Sequence, residues 1–382
     1  MLKFKFWFIS LLLPEIAIFT SCNDGEKLSG PLISFEIPTD GFKIEVGKAL
    51  SLDPNVINGE KSSFTWELNG EVVSSAKVYT FIPSRIGTYN LELKVSNELG
   101  SDNKTIQISA FSNLSPFITK VFDYKYSPGQ HASLIPSDSK GENFIGQPWI
   151  NSKQYTSLGG WGGYIIAGFD HTVKNGIGAD FTIFTQPGPS SEPAVVFVMN
   201  DANNDGIPND GEWAEIKGSE YNHTETIHNY QVTYYKPVDN GNVKWKDNKE
   251  GSGELIPVFD STSWWWSGYG NNVEMVFTGV RLPNAYHNIS TLADIENWTV
   301  RTGLFTFGYA ECYNNLDYNN SLKANIFDIS DAVDNAGNKA NLTGIRFIKV
   351  QSGVFQIAGW LNEISTEISG AADLSLIEYI AN

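Results

Sequence analysis

Basic residues and sulfur are the scarcest components of this 382-residue chain. It carries 26 Lys and Arg against 43 Asp and Glu, a formal charge of −17. Such a surface repels phosphate backbones, which excludes nucleic acid as a natural partner and argues against charge-driven adhesion to anionic lipid. Apart from Cys22 the only cysteine is Cys312. With Cys22 otherwise engaged no internal disulfide can form, so stability must come from burial, which a chain this long can supply. The five histidines, at 131, 171, 223, 228 and 287, form no H-E-x-x-H and no Cys/His cluster, so zinc chemistry has no foothold. No G-x-S-x-G occurs, and Cys312 lacks the surroundings of a cysteine protease. Asp170-His171 is expected to be a hydrogen-bonded structural pair at a strand end. Many carboxylates are present, but their separations are invisible in sequence, so glycoside hydrolysis has no specific support. These absences favour a non-enzyme. No repeat of 20 to 50 residues is visible, which counts against a propeller or solenoid. After the first 22 residues no apolar run is long enough to cross a bilayer.

Those first residues set the address. Lys3 and Lys5 precede an apolar stretch from Trp7 to Phe19, which ends at Thr20-Ser21-Cys22. This is the layout of a secretory signal over 1–21. The cysteine resembles the lipobox of bacterial lipoproteins, which implies lipidation of Cys22 and a permanent membrane anchor. Removing 1–21 takes away Lys3, Lys5 and Glu15 and leaves −18. Residues 22–30 form a linker with Asp24 and Glu26 beside the anchor, similar to the acidic tag that sends lipoproteins to the outer face of the outer membrane. The expected location is therefore the outer membrane, lipid-anchored and facing the cell exterior.

The rest reads as all-β. Over 31–110, short alternating segments (32–37, 42–46, 64–68, 87–96, 104–108) are separated by turns, with Asn69-Gly70 as a tight hairpin signal before Glu71-Val72-Val73. Six or seven strands around one internal tryptophan, Trp66, predict an immunoglobulin-like sandwich. Phe64-Thr65-Trp66 and Gly87-Thr88-Tyr89 through Asn97 resemble PKD-like domains of bacterial surface proteins, although Glu67-Leu68-Asn69-Gly70 replaces the usual acidic turn. The resemblance implies a spacer module. After a short connection, residues 117–370 hold nine of the eleven tryptophans. Strand candidates are 163–169, 180–185, 194–199, 229–235, 273–278, 304–309 and 345–350. Together they predict a larger antiparallel sandwich of jelly-roll type, a ligand-binding domain. The tail, 371–382, offers one short helical pattern over 373–380.

Two motifs carry chemistry. Asp201-Ala-Asn203-Asn-Asp205-Gly-Ile207-Pro-Asn209-Asp-Gly-Glu212 places oxygens at loop positions 1, 3, 5, 9 and 12, with glycine at 6 and the Ile207 carbonyl at 7. That is calcium-loop spacing, set between strands instead of helices, and it predicts a structural Ca2+. The turn at 331–338 lacks this spacing and is read as a loop. The aromatic run Trp264-Trp265-Trp266, with Tyr269, cannot enter one core from a single strand, because successive side chains face opposite ways. It is the first candidate ligand platform. Gly159-Gly160-Trp161-Gly162-Gly163-Tyr164 is the second: its glycines admit either a ligand or a crowded strand crossing.

Ser127-Pro128-Gly129-Gln130, Ser157 through Tyr164, Gly168-Phe169-Asp170-His171, Gly178 through Phe184, the calcium-like loop with Trp213, and Phe347 through Gln351 resemble surface lipoproteins of gut bacteria. That resemblance implies capture of an extracellular nutrient for a TonB-dependent transporter, with a cobamide (vitamin B12) as first ligand and the tryptophans cradling it. Two alternatives stay open: a glycan-binding surface lipoprotein using the same tryptophans, and a structural adhesin.

Overall fold

The computed structural model describes residues 29–129, 138–148, 155–185, 191–238, 241–258, 266, 271–292, 296–313, 315–359 and 361–378. The signal segment, Cys22, Trp264, Trp265 and Tyr269 lie outside these residues. By contact density the chain forms two compact units, one from residues up to Ile37, Ser51–Tyr79 and Asn90–Ile106, the other from Pro38–Leu50, Thr80–Tyr89 and Gln107 onward. The first is therefore discontinuous, whereas the sequence pattern places a single boundary between 110 and 117.

The N-terminal strands are β1 (Leu32–Ser34), β2 (Phe42–Glu45), β3 (Leu50–Leu52), β4 (Asn55–Ile57), β5 (Ser63–Leu68), β6 (Glu71–Ser74), β7 (Tyr79–Phe81), β8 (Gly87–Asn97) and β9 (Gly100–Phe111). The main sheet has the order β2-β9-β8-β5-β6, with β1-β4 and β3-β7 as separate pairs. Asn69 and Gly70 both take positive φ, 54° and 83°, as the β5–β6 hairpin turn requires. Along β8, Leu91, Leu93 and Val95 are fully buried at period two. Trp66 is likewise buried, its ring 5.9 Å from Phe35 and 5.6 Å from Tyr79. Its indole N–H donates to the Ala76 carbonyl at 3.0 Å, so the tryptophan buries its area without an orphaned donor.

The larger region is a sandwich. Its strands are β10 (Lys120–Lys125), β11 (Thr156–Ser157), β12 (Tyr164–Lys174), β13 (Phe181–Thr185), β14 (Ala194–Met199), β15 (Ala214–Ile216), β16 (Ile227–Tyr235), β17 (Val243–Asp247), β18 (Ser252–Leu255), β19 (Glu274–Arg281), β20 (Tyr286–Asn288), β21 (Trp298–Val300), β22 (Tyr309–Ala310), β23 (Tyr318–Asn319), β24 (Ala324–Phe327), β25 (Ala332–Val333), β26 (Gly344–Ser352) and β27 (Glu367–Asp373). One sheet runs β10-β12-β26-β14-β15-β25, with β22 also on β14; the other runs β11-β27-β13-β24-β23. Ile165, Val196, Val198, Ile348 and Val350 from the first meet Phe181, Ile183, Phe327 and Ile368 from the second in one buried cluster. The central strands β26 and β27 are buried over most of their length, as strands covered on both faces must be. A third sheet, β18-β17-β16-β19, carries its own aromatic core.

Two sequence expectations are corrected. Leu304–Tyr309 is not a strand: Gly303, Phe305 and Gly308 all have positive φ, which turns the chain until β22 begins at Tyr309. The helical pattern at the tail yields, among the described residues, a single 3-10 turn, Leu374–Leu376, because β27 continues to Asp373, whose carboxylate caps the Ser375 N–H.

The glycine-rich block has a packing explanation. A Cβ on Gly159 would lie 2.0 Å from the Ser127 carbonyl oxygen, and one on Gly163 only 1.7 Å from that of Leu158. These glycines let three backbone segments touch, so the crowded crossing accounts for them.

Candidate functional site

Trp161 turns from that crossing into the aromatic core over the third sheet. Tyr230 and Tyr234 project from the same face of β16, Trp245 from β17, Phe277 from β19, and Phe355 follows β26. The Trp161 ring lies 4.9 Å from Tyr230, and Trp245 lies 4.9 Å from Phe355, both edge-on. Trp161 Nε1 donates to the Val280 carbonyl at 3.2 Å, and the Tyr234 hydroxyl to the Trp161 carbonyl at 3.0 Å, whereas the buried Trp245 Nε1 has no hydrogen-bond partner among the described residues. Trp266 belongs to this core, 5% exposed, with its Nε1 on the Asn272 carbonyl at 2.8 Å. Two sequence candidates, Trp161 and Trp266, therefore come together, as buried members of one cluster. Tyr164, half-buried, packs against the edge of the same cluster. Its hydroxyl donates to Asp123 at 2.7 Å, and the Lys349 ammonium stands 5.0 Å from its ring.

At the margin of this core a small cleft opens, with Trp161, Tyr234, Leu255 and Phe355 as apolar wall and Asn362 and Glu363 as polar rim. The Asn362 amide donates to the Ile256 carbonyl at 3.2 Å, which fixes the side chain and leaves its oxygen as an acceptor. Sequence reading missed Tyr234, Phe355 and Asn362. The alternation Tyr230-Gln231-Val232-Thr233-Tyr234 was a signal for the first; nothing local marks the others.

The rim residue Glu363 also feels a second group of carboxylates. Glu192, before β14, Glu311, after β22, and Glu367, opening β27, place carboxylate oxygens within 4.8 Å of one another. Glu311 and Glu367 are each 2% exposed. One oxygen of Glu367 accepts from the hydroxyls of Ser157 at 3.0 Å and Ser365 at 2.7 Å, while Glu311 accepts the Glu367 N–H at 2.7 Å. Burial first, then the neighbouring carboxylates, pushes Glu192 and Glu311 well above the usual range. Their oxygens are near enough to share one cation as well. Both central members are too enclosed for a substrate to reach.

The Asp201–Glu212 loop connects β14 to β15. The Asp201 carboxylate, only 4% exposed, accepts the N–H groups of Asp205 and Gly206, both at 3.1 Å. Asn203 Oδ1 accepts the Asp205 N–H at 2.8 Å, and Asp205 Oδ1 that of Ile207 at 2.8 Å. Asn204 (φ 58°) and Gly206 (φ 73°) supply the curl. Asn203, Asp205 and Asn209 are linked by amide hydrogen bonds of 3.1 to 3.3 Å, so four predicted ligand side chains converge. Asp210, which the spacing did not single out, closes the loop by accepting the Ala202 N–H at 2.8 Å. Glu212 is exposed. Arg346 on β26 donates to Asp201 Oδ2 at 2.5 Å and anchors the loop on the sheet. The Asn209 amide, ahead of smaller contributions that include Arg346, holds Asp205 below the usual carboxylate range. An all-oxygen donor set of this kind suits a hard cation.

His171 is a structural link, its ring nitrogens 2.7 Å from Asp170 and 2.9 Å from Asp373. The turn at 331–338 is a loop in which Asp334 accepts the Ala336 and Asn338 N–H groups.

Among known proteins, residues 30–97 match the PKD-like domain family. No curated protein matches the chain in sequence. Three solved structures are similar at low identity. One is a quinonprotein alcohol dehydrogenase-like protein from Bacteroides thetaiotaomicron, with 13% identity over 60% of this chain and 73% of that one and a TM-score of 0.23. Another is SGBP-B of the Bacteroides ovatus mixed-linkage glucan utilization locus, in complex with a mixed-linkage heptasaccharide, with 12% identity over 59% of this chain and 45% of that one and a TM-score of 0.21. The third is a SusE-like protein, with 10% identity over 89% of this chain and 96% of that one and a TM-score of 0.23. Likeness at this level carries no functional argument. The chain thus opens on a PKD-like immunoglobulin-type domain and continues into an antiparallel, jelly-roll-like β-sandwich.

Proposed function

We propose that the protein is a surface-displayed, non-enzymatic capture protein whose ligand is a saccharide, held at the cleft beside Trp161 and Phe355. The observation that carries this is the lining itself: aromatic and aliphatic walls meet a fixed amide and a carboxylate in one small concavity. A sugar ring has an apolar C–H face that stacks on such a wall and hydroxyls that pair with Asn362 and Glu363. In this reading the PKD-like module is a spacer, Cys22 is the lipid anchor at the outer face of the outer membrane, and captured ligand passes to a TonB-dependent transporter.

The Asp201 loop belongs to the same proposal as a structural calcium site. Asp201, Asn203, Asp205, Asn209 and the Ile207 carbonyl would hold the ion, with Glu212 swinging in to close it. Bound calcium would neutralise converging carboxylates and stiffen the β14–β15 connection.

Affinity electrophoresis through gels containing soluble mixed-linkage β-glucan, xylan or mannan tests the ligand class, beside a fluorescence titration with cyanocobalamin. Retardation by at least one polysaccharide, without saturable quenching by cyanocobalamin, is expected. Saturable quenching with no retardation would return the assignment to cobamide capture.

A further inference from the structure

A second concavity lies on the outer face of β15 and β25. It is a solvent-open groove of about 580 Å3 whose lining includes Lys217, Asn222, Phe307, Asp331 and Lys339. The sheet explains its floor. Glu215 pairs with Val333, and residues two apart share a face, so Glu215, Lys217 and Val333 all point away from the sandwich core. Ala214, Ile216 and Ala332 fill that core from the other face.

The charge of this lining runs against the rest of the molecule. In a chain of −17, two lysines flank the groove and neither has a carboxylate within 4.0 Å among the described residues. Lys217 extends over the Tyr221 ring, 5.3 Å from its centroid, which holds its ammonium at the groove wall. Phe307 exposes 40% of its surface there, an aromatic face with no structural need to be outside. Two acids lie near the lysines. Asp331 is exposed on the lining, where partial burial and Asp328 raise its pKa against the opposing pull of Lys339. Glu215 lies beneath, 7% exposed, with His228 3.6 Å from one of its oxygens.

We propose that this groove binds an anionic saccharide, its carboxylate or sulfate between Lys217 and Lys339 and a ring face on Phe307. Asn222 and Asp331 are placed to take ring hydroxyls. The choice of saccharide over another anion rests on the capture function proposed above; the site itself is distinct from the aromatic cleft.

Isothermal titration of the whole protein with trigalacturonate, a sulfated chondroitin disaccharide and neutral maltotriose at 20 and 200 mM NaCl tests this. Binding of either anionic probe is expected to weaken by about tenfold at the higher salt, as screening of exposed charges requires. The K217Q/K339Q pair should lose roughly tenfold or more, while K217R/K339R restores most of it, a rescue that separates charge from folding. A response to the sulfated probe alone supports the groove and assigns sulfate. Failure of both anionic probes would overturn the proposal, as would equal binding of maltotriose unaffected by the lysine changes. Polysaccharide retardation at the cleft should persist in K217Q/K339Q, so failure of one site is told apart from failure of the other.

Discussion

Two groups of carboxylates in this sandwich behave in opposite ways. Glu192, Glu311 and Glu367 come from three distant segments and crowd within 4.8 Å, and burial pushes Glu192 and Glu311 well above the usual carboxylate range. Asp201, Asp205 and Asp210 come from one ten-residue loop, face N–H donors and Arg346, and the exposed member Asp205 is held ionised by them. The residue type is nearly the same; the number of donors and the access of water decide which form each group keeps.

Breaking the buried group should give the largest effect. Glu311 has its folded pKa raised above the unfolded value, so its contribution is fully present below about pH 4.3 and is lost as pH rises toward the folded value. Glu311→Gln keeps an acceptor for the Glu367 N–H and removes the titration. It is expected to stabilise the protein at pH 8 and to change its stability little at pH 4, measured by urea unfolding. A pH-independent loss of stability would show that the group is not sharing protons. Glu367→Ala is expected to act in the other direction, costing about 1–3 kcal/mol by orphaning the Ser157 and Ser365 hydroxyls.

In the loop, Asp201→Ala removes the acceptor of two backbone N–H groups and of Arg346. The melting temperature is expected to fall, and the rise on adding 2 mM calcium, present in the parent, to vanish. A parent that melts identically in calcium and chelator contradicts the metal assignment. A smaller effect separates His171 from both groups. Its pKa is raised by Asp373 and Asp170 against opposing burial, so its contribution is present below about pH 6.5 and lost above its folded value. His171→Gln is therefore expected to cost most near pH 5, no more than about 1 kcal/mol once solvent screening is allowed for. The subtlest test is carboxyl NMR, in which Asp205 should titrate below the usual aspartate range.

The same contrast explains what sequence could reveal. The loop was legible because its oxygen-bearing side chains sit in a fixed local spacing, and the hairpin at Asn69-Gly70 because a turn is local too. Strand β14 was legible because Ala194 to Met199 is a short apolar run bounded by turn residues. The glutamate group was not legible: positions 192, 311 and 367 meet only after β14, β22 and β27 assemble. The cleft was half legible. Trp161 and Trp266 were visible as aromatics, but their burial beside Tyr234 and Phe355 depends on the third sheet curling over the glycine-rich crossing. Leu304–Tyr309 misled because its apolar alternation carries no sign that Phe305 would take a positive φ.

Titration of the polysaccharide that retards the protein, as a soluble oligosaccharide, into the parent and into Phe355→Ala and Asn362→Ala addresses the capture proposal most directly. The account predicts saturable binding by the parent and a loss of roughly tenfold or more in each variant, with melting temperatures close to the parent's in Asn362→Ala. Parent-like affinity in both variants would contradict it and move the ligand away from the cleft.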